Sequence, residues 1–449
     1  MAVIKPFQGL LYNRKVIDNI ENVVAPPYDV ISEKEQQALY RKHKYNIIRL
    51  ILGKEYTSDT DKHNRYTRTA KLFADMQRGK ILLRDKKPSF YYYVQNYSLP
   101  GGMQLERKGI LTLLKITEFD ESVVLRHERI LAKPFEDRVN LIKECRANFS
   151  PIFMIYSDKK NVVNSLFEPF LKKTSYFSYT DNWGVKHSLQ KISDGELALQ
   201  VEKAFRRKQL IIADGHHRYS ASLAYRNYMR KMQKSRLSDA PYDYTMVYLT
   251  SMEDEGLSVL PIHRMVHSLE SYDKERVLKK MFRYFKIEMV LFNRDDVAEQ
   301  LDSIKADMAR IRKNTVFVLY FRSDNRLYLL RGLKDKIADA LARLGVSSEL
   351  AGLDVIVLHK IVFEKILSIS KTAQEKQKNI HYIKGNANFL NELSRDNYQM
   401  AFFMNPLSAV DIYNVVKKAE ILPQKSTFFY PKLTSGFVIN KMDADIVID

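Results

Sequence analysis

Residues 209–219 of the chain read QLIIADGHHRY. Gln209 to Ala213 form the short apolar run of a buried strand, Asp214-Gly215 is a turn signal, and the segment from His216 to Lys231 is rich in Ala, Tyr, Arg and Met. This order predicts a strand, a tight turn and a helix. The first turn of such a helix presents backbone N–H groups and the positive end of the helix dipole, which makes it a natural anion site.

The residues from Asp214 to Arg218 are the strongest candidates for a functional site. Gly215 allows a phosphate to approach the backbone closely, and Arg218 offers phosphate oxygens a two-pronged hydrogen bond. His216 and His217 point to different faces of the helix, so one of them can serve as acid, base or phosphate donor. We therefore predict Asp214, His216 and His217 as catalytic residues. The alternative is that Asp214 only caps the helix and both histidines are surface residues.

Two other stretches contain candidate acids and bases. His127-Glu128 pairs a histidine with a carboxylate, which can relay a proton, and we predict both residues as catalytic. The alternative is a solvated charge cluster at the start of a helix. Two prolines, at 26 and 27, make a rigid segment that can aim Asp29 as a further catalytic carboxylate, with Arg49 downstream as a phosphate ligand. The alternative is a loop that only covers the core.

A fourth stretch near the end of the chain has hydroxyls next to a lysine. Lys425 can neutralise a phosphate while Ser426 and Thr427 donate hydrogen bonds to it. The glycines of a Walker phosphate loop are absent, so the stretch is not a Walker motif. An ordinary turn before a strand is an equally good interpretation.

Composition limits the classes of function. The chain has 449 residues, of which 45% are hydrophobic and 28% charged, as in a globular protein, and its net charge is +20. This excess favours a phosphorylated small molecule or a nucleotide as partner, and nucleic acid as a less favoured one. No apolar stretch approaches the roughly 20 residues of a membrane span, so no membrane partner is expected. The single cysteine, Cys145, excludes an intrachain disulfide, and with no secretory signal pattern at the N-terminus we expect a cytoplasmic protein. Nothing in the sequence indicates an oligomeric state.

The order of predicted elements indicates a mixed α/β protein of the α+β class. We expect a core over residues 1–265, an inserted α/β lobe over 266–345, and a mostly helical segment over 346–449 whose tail returns to the site. Within the core, Ser32 and Glu35 have the spacing of a helix capping box, and the apolar run Asn46–Leu50 predicts a strand.

Four motifs together resemble one prokaryotic family, catalogued as domain of unknown function 1015. They are APPYDVIS at 25–32, HER at 127–129, ADGHHRY at 213–219 and QKSTFFYPK at 424–432. Asp214 to Arg218 also resembles the motif of free-serine kinases in the ParB/sulfiredoxin superfamily. This second resemblance implies a ParB/sulfiredoxin-like core in which these residues hold nucleotide phosphates, and it makes Glu128 a candidate for the catalytic glutamate of those kinases.

We therefore expect a cytoplasmic small-molecule phosphotransferase, either a serine kinase or a phosphoserine phosphatase. Phosphoryl transfer needs mainly positioning and positive charge around the phosphate oxygens. ATP, ADP or pyrophosphate are the candidate donors, and Mg²⁺ is a candidate companion because it suits carboxylates together with phosphates. A ParB-like nucleic-acid-binding protein is one alternative, although no helix-turn-helix signature stands out. A noncatalytic protein that binds a phosphate ligand is the other.

Overall fold

The computed structural model describes residues 1–99, 102–172, 174–233, 239–291, 297–311, 314–324, 326–393 and 397–443. It divides into two compact units. Unit 1 comprises Met1–Arg126, Ile130–Ser258 and Pro431–Asp449, and unit 2 comprises His127–Arg129 and Val259–Tyr430. Within the described ranges, no helix is both long enough and apolar enough to cross a bilayer.

The strands are, in chain order, β1 Ile4–Lys5, β2 Leu10–Tyr12, β3 Leu82–Arg84, β4 Phe90–Ser98, β5 Gln104–Lys115, β6 Val124–Leu125, β7 Ala147–Asn148, β8 Ile152–Tyr156, β9 Phe177–Thr180, β10 Lys186–Ile192, β11 Leu210–Asp214, β12 Tyr244–Ser251, β13 Ser258–Leu260, β14 Ile262–Val266, β15 Phe285–Leu291, β16 Val316–Phe321, β17 Arg326–Gly332, β18 Ile380–Lys384, β19 Met400–Met404, β20 Phe428–Tyr430 and β21 Asn440–Lys441.

The α-helices are α1 Glu33–Lys42, α2 Ile48–Ile51, α3 Arg65–Arg78, α4 Ala132–Cys145, α5 Val162–Phe167, α6 Gly195–Phe205, α7 His216–Gln233, α8 Lys274–Met281, α9 Val297–Arg310, α10 Lys334–Arg343, α11 Ser348–Ala351, α12 Asp354–Val357, α13 Lys371–Glu375, α14 Asn386–Leu393 and α15 Ala409–Lys417. A π-helix, Leu358–Ile366, continues α12.

Unit 1 is built on a large mixed sheet. Its strand order is β6-β11-β8-β12-β5-β4-β10-β9, and β1 pairs with β5 outside this path. β11 is parallel to β6 and antiparallel to β8, while β12 is parallel to β8 and antiparallel to β5. The core on this sheet includes Tyr92, Leu114, Met154, Phe167 and Ile212, each at most 2% exposed. The fold is therefore α+β, as the sequence predicts.

The predicted strand, turn and helix around Gly215 are confirmed. β11 ends at Asp214 and α7 begins at His216. The pairing of β11 with β8 shifts register between Ile212 and Asp214, so the strand bends as it leaves the sheet. Asp214 is consequently the last residue of β11, immediately before the first turn of α7.

Unit 2 has its own antiparallel sheet, with strand order β15-β17-β16-β19-β14-β18. Its strands come from both sides of residue 345, because β18 and β19 pair with β14 and β16. The division therefore differs from the expected three parts, 1–265, 266–345 and 346–449. The chain leaves unit 1 after Ser258 and re-enters it at Pro431, and the segment expected to be mostly helical supplies two strands to the sheet of unit 2.

The predicted strand over Asn46–Leu50 is wrong, since Ile48–Ile51 forms a helical turn. The amide of Asn46 explains the difference. Its oxygen accepts a hydrogen bond from the Ile48 N–H at 2.9 Å, and its nitrogen donates to the carbonyl of Asn22 at 2.8 Å. A short apolar run does not by itself distinguish strand from helix. The capping box at Ser32 and Glu35 is confirmed.

A substitution at Gly256 tests how closely the backbone packs at the unit 1 sheet. A Cβ at this position would overlap the backbone of Glu106 and Arg107, and the Gly256 carbonyl accepts a hydrogen bond from the Tyr97 hydroxyl at 2.8 Å. Backbone atoms cannot move aside as a flexible side chain can. We expect Gly256→Ala to destabilise the protein by about 1–3 kcal/mol, measured as a fall of several degrees in melting temperature.

Gly195→Ala is the matched control, because at this first residue of α6 the position of a Cβ has no described atom within 4 Å outside the adjacent residues and the backbone of the helix itself. This substitution should leave the melting temperature unchanged or slightly raised. Equal losses in the two variants would contradict the close approach at Gly256.

Candidate functional site

Gly215 makes the turn between β11 and α7. Its φ is +96°, a conformation that favours glycine, and a Cβ there would lie 2.9 Å from Nε of Arg218. The Tyr219 N–H donates to the Gly215 carbonyl at 3.0 Å and so begins the helical hydrogen-bond pattern. Because Gly215 has no side chain, the guanidinium of Arg218 folds back over the turn.

Asp214 is the electrostatic centre of this turn. One carboxylate oxygen accepts a hydrogen bond from Arg218 at 2.7 Å, and the other accepts one from the Lys432 ammonium. Burial alone would raise the pKa of Asp214, but the positive charges of Lys432 and Arg218 outweigh burial and hold the pKa well below its usual range. Asp214 is therefore ionised at neutral pH and is a poor proton acceptor, so the geometry favours a positioning role for it.

Lys432 belongs to the part of the chain that re-enters unit 1, which we call the return segment (Pro431–Asp443). The Lys432 carbonyl accepts a hydrogen bond from the Gln95 amide at 2.9 Å. Ser435 exchanges two backbone hydrogen bonds with Ala25, at 2.8 and 3.3 Å. The return segment therefore fixes Lys432 and lies beside the loop that contains Tyr28 and Asp29.

The two histidines of α7 lie in different surroundings. His216 is 4% exposed, and its charged form would act on Asp214. Nε2 of His217 accepts a hydrogen bond at 3.0 Å from the backbone N–H of Leu131, the residue that precedes α4. His217 thus caps α4, and His216 is the better candidate for proton transfer next to Asp214.

A second carboxylate in unit 1, Asp137, is also held between two cations. Arg65 and Arg138 donate to different oxygens of Asp137, with the Nε of Arg138 at 2.7 Å, and the Tyr66 hydroxyl adds a bond at 2.9 Å. Arg138 also donates to the carbonyl of Ile51 at 3.0 Å. Asp137 and Asp214 therefore serve the same purpose, since each fixes two positively charged side chains.

Tyr28 connects the two clusters. The Arg138 guanidinium lies 3.9 Å from the centre of the Tyr28 ring. Burial raises the pKa of Tyr28 to about 12, and the charges of Arg138, Asp29 and Arg218 all act on its hydroxyl. Asp29 itself is exposed. Tyr28 is therefore in direct contact with Arg138, although the sequence drew attention to its neighbour Asp29.

Arg49, by contrast, is held elsewhere in unit 1. It donates to the Tyr40 carbonyl at 2.7 Å, and its guanidinium lies 4.3 Å from the centre of the Tyr40 ring. Its predicted role as a phosphate ligand stays a prediction.

A small cavity lies between the two arginine clusters. Its volume is about 40 Å³, room for about three water molecules or one small oxyanion. Arg138 and Arg218 both line it, together with the polar side chains of Asn148, Ser150, Ser222 and Thr245. The remaining lining residues are apolar, so the two guanidinium groups are the charged donors that an oxyanion would meet in this cavity.

A larger cavity of about 330 Å³ in unit 1 includes Lys432 and His187 in its walls. His187 contacts Asp181 through Nε2 at 3.0 Å, and its Nδ1 lies 2.6 Å from the Tyr93 hydroxyl. Burial lowers the pKa of His187, an effect that Asp181 partly offsets, so the ring is neutral at physiological pH. Sequence analysis missed His187 and Asp181, and the pattern of residues around them carried no signal that could have revealed them.

The other predicted site residues belong to unit 2. Nε2 of His127 lies 2.9 Å from the Thr427 hydroxyl, so these two predicted residues come together. The Ser426 hydroxyl donates to the Pro423 carbonyl at 2.6 Å, and the Lys425 carbonyl accepts from Arg264 at 3.0 Å. Glu128 is half-buried beside His127. The roles predicted for these residues stay predictions.

The residues at the turn do not fit a metal ion. Both oxygens of Asp214 already bind cations, which would repel a divalent ion. Among the residues that the structure describes, no group of three or more His, Cys, Asp or Glu side chains could hold a metal. The turn therefore offers Mg²⁺ no protein site.

A family model matches residues 4–355, and it is described as a protein of unknown function, DUF1015. This chain belongs to the DUF1015 family. The family predicted from the four motifs is thus confirmed. No curated protein matches the DUF1015 chain at a significant level.

Several solved structures are distantly similar to the DUF1015 chain. A conserved hypothetical protein from Pyrococcus furiosus has 10% identity and a TM-score of 0.32, over 72% of this chain and 90% of that chain. A free serine kinase variant in complex with ADP has 10% identity and a TM-score of 0.34, over 76% and 92%. SbnI from Staphylococcus aureus, truncated at its C-terminus, has 12% identity and a TM-score of 0.34, over 73% and 86%.

The charge on Asp214 leads to a pH-dependent prediction. The pKa of Asp214 in the folded protein lies below its value of about 4 in the unfolded chain. The ionised carboxylate therefore stabilises the fold above about pH 4, and this stabilisation is lost as the pH falls further. Asp214→Asn leaves two largely buried cations without their carboxylate partner and should lower the free energy of unfolding by about 3–5 kcal/mol at pH 7. Denaturant unfolding should show this difference shrinking below about pH 4.

Asp59→Asn is the control, because Asp59 pairs with the 41% exposed side chain of Arg68, whereas the partners of Asp214 are only 10–11% exposed. Its effect at pH 7 should be small. A difference between wild type and Asp214→Asn that stays constant from pH 7 to pH 3 would contradict the ionised, cation-bound state of Asp214.

Proposed function

We propose that this DUF1015 protein is a small-molecule phosphotransferase, either a serine kinase or a phosphoserine phosphatase, with a ParB/sulfiredoxin-like core in unit 1. The observation that carries the proposal is the positive charge around the small cavity lined by Arg138 and Arg218. Phosphoryl transfer depends mainly on fixed positive charge around the phosphate oxygens, so such a cavity is its main requirement.

The charge balance of the two clusters supports the proposal. Four cations, Arg65, Arg138, Arg218 and Lys432, pair with two largely buried carboxylates, Asp137 and Asp214. The four cations therefore exceed the two carboxylates by two positive charges. Glu55, which is largely exposed, offsets part of this excess through its ion pair with Arg65. An anion that enters the cavity supplies the missing negative charge without any need for these side chains to reorganise.

The residues of unit 1 divide into three proposed roles. Arg138 and Arg218 bind the phosphate oxygens, and Gly215 leaves room for the guanidinium of Arg218 over the turn. His216 transfers the proton, while Asp214 fixes Arg218 in place. His217 is assigned to the cap of α4. The substrate hydroxyl enters through the larger cavity, whose wall contains Lys432.

The predicted residues of unit 2, His127, Glu128, Lys425, Ser426 and Thr427, stay candidates for a phosphate or proton-transfer role. The contact between His127 and Thr427 supports treating them as one cluster. Asp29 stays a candidate base in unit 1. We also propose that the protein is cytoplasmic and that its partner is a nucleotide or another phosphorylated small molecule.

Lysine substitutions test the arginines, because they keep the positive charge but lose the two-pronged geometry. We expect Arg218→Lys and Arg138→Lys to raise the dissociation constant for inorganic phosphate and for ADP about tenfold or more, measured by calorimetry. Arg230→Lys is the matched control on α7, since Arg230 pairs with Asp243 and does not line the cavity. Equal affinity in all three variants would contradict the phosphate site.

Turnover is tested separately by ³¹P NMR. Serine is incubated with ATP, ADP or pyrophosphate, with and without Mg²⁺, and phosphoserine is incubated alone. Appearance or loss of the phosphoserine signal, reduced in Arg218→Lys, supports the reaction. Phosphate binding without turnover favours a noncatalytic phosphate-binding protein. DNA binding that weakens steeply with salt, without turnover, favours the ParB-like nucleic-acid-binding alternative.

A further inference from the structure

The cavity of about 330 Å³ in unit 1 has an exposed indole in its wall. Trp183 is the only tryptophan of the chain, and it is 56% exposed although tryptophan is highly buried on average in folded proteins. A molecule that enters the cavity can therefore reach the ring. The volume lies at the lower end of the range that holds small-molecule ligands, which suits a compact ring system.

The turn between β9 and β10 fixes the backbone at Trp183. One carboxylate oxygen of Asp181 accepts hydrogen bonds from the Trp183 N–H at 2.8 Å and from the Val185 N–H at 2.9 Å. Gly184 has a φ of +76°, and its N–H donates to the Asp181 carbonyl at 3.0 Å. The turn is therefore ordered before a ligand binds, which lowers the entropic cost of binding.

Aliphatic side chains form the rest of the apolar wall. They come from the loop before α1, from α1 itself and from the return segment, and they are Val24, Pro26, Ile31, Leu39 and Leu433. An exposed aromatic ring together with aliphatic groups suits a planar ring system, because such a ligand gains from stacking as well as from burial. Serine and pyrophosphate have no planar apolar part, so they do not match this wall.

The charged side chains of the wall do not favour an inorganic anion. Three carboxylates and two ammonium groups line the cavity, namely Glu21, Glu35, Asp181, Lys42 and Lys432. Each ammonium group has a carboxylate partner, since Lys42 pairs with Glu21 and Lys432 with Asp214. Binding in this cavity therefore depends on ring stacking and burial, unlike binding in the small cavity lined by Arg138 and Arg218.

Lys432 connects this cavity to the phosphate site. Its side chain is only 10% exposed, so it lies at the inner end of the cavity, whereas Trp183 lies at the outer end. Asp214 binds Lys432 through one carboxylate oxygen and Arg218 through the other, and Arg218 lines the small cavity. A ligand with a planar ring at one end and phosphates at the other matches this order of groups.

We propose that this cavity binds the base of a nucleotide, which stacks on Trp183 while its phosphates extend past Lys432 to Arg218. The inference rests on the proposed phosphotransferase function and deepens it, since it selects a nucleotide such as ATP or ADP over pyrophosphate as the donor. The base occupies the outer end of the cavity and leaves the inner end to the substrate hydroxyl. Stacking uses the π-face that all bases share.

The single tryptophan allows the base site to be observed by fluorescence. The full-length protein is titrated with adenosine, guanosine, cytidine and uridine, and separately with inorganic phosphate. We expect at least one nucleoside to quench the Trp183 fluorescence in a saturable way, and phosphate to leave it unchanged. By calorimetry, the diphosphate of that nucleoside should bind about tenfold more tightly than pyrophosphate, because stacking contributes to its affinity.

Substitution of Trp183 tests the stacking. Trp183→Leu should raise the dissociation constant for that diphosphate about tenfold, measured by calorimetry, and Trp183→Phe, which keeps a ring, should raise it less. Tyr56→Leu is the matched control, because Tyr56 is exposed to a similar degree, 53%, and does not line the cavity. This control should bind the diphosphate as tightly as wild type.

Ala38→Phe tests the cavity itself. Ala38 is exposed on α1 and lines the cavity, so a larger side chain there fills space that the base needs without disturbing the core. We expect this variant to lose nucleoside binding and to keep its affinity for inorganic phosphate. Gln37→Phe is the control, since Gln37 is exposed on the same helix but does not line the cavity.

Absence of quenching by all four nucleosides at millimolar concentration overturns the proposal. Equal affinity for the diphosphate in Trp183→Leu and wild type, or nucleoside binding that survives in Ala38→Phe, does the same. Arg218→Lys should weaken binding of the diphosphate and leave nucleoside binding unchanged. Weaker phosphate binding in Arg218→Lys without any nucleoside quenching refutes the base site alone, whereas nucleoside quenching with an unchanged diphosphate affinity in Arg218→Lys refutes the phosphate site alone.

Discussion

The ion pairs of Asp214 with Arg218 and Lys432 are the interaction on which the site of unit 1 depends. The carboxylate lies where β11 leaves the sheet, Arg218 is on the first turn of α7, and Lys432 is on the return segment. One side chain therefore connects a strand, a helix and a segment far away in sequence. Because charges interact strongly when they are shielded from water, no member of this cluster can leave without exposing the others to an unfavourable environment.

The same arrangement at Asp137 shows how the protein keeps several cations close together. Four positive side chains in one region would repel each other and turn towards solvent. Each carboxylate instead fixes two of them by hydrogen bonds, and the backbone carbonyls of Ile51 and Pro151 accept further hydrogen bonds from Arg138 and Arg218. The arginines are therefore oriented before any ligand arrives, and this preorganisation is what makes fixed charge effective in catalysis.

Local signals in the sequence predicted local structure well. The turn at Asp214-Gly215 needed only a glycine between an apolar run and a helical one, and the capping box of Ser32 needed only Glu35 three residues later. The strand predicted for Asn46–Leu50 is wrong because the conformation of this run depends on hydrogen bonds from the Asn46 amide to the carbonyls of Asn22 and Val24, which are distant in sequence.

The candidate site itself was only partly accessible from the sequence. Asp214 and Arg218 were identified from their position at a turn, but their partner Lys432 lies 218 residues further on, and no periodicity links the two. The pairing of Asp137 with Arg65 and the contact of Arg138 with Tyr28 are likewise products of tertiary packing. The sequence indicated which chemistry to expect, whereas the folded chain determines which side chains supply it.

The position of Lys432 also has a consequence for protein synthesis. All of Val259–Tyr430 must be translated after the turn at Asp214 and before Lys432 leaves the ribosome. At about 5–20 residues per second, this delay lasts roughly 10–40 s. During that time Asp214 of the nascent chain can pair with Arg218 but not with Lys432. β11 therefore lacks one of the two ion pairs that stabilise it in the complete protein. Unit 1 can therefore be completed only after the inserted residues Val259–Tyr430 have been synthesised.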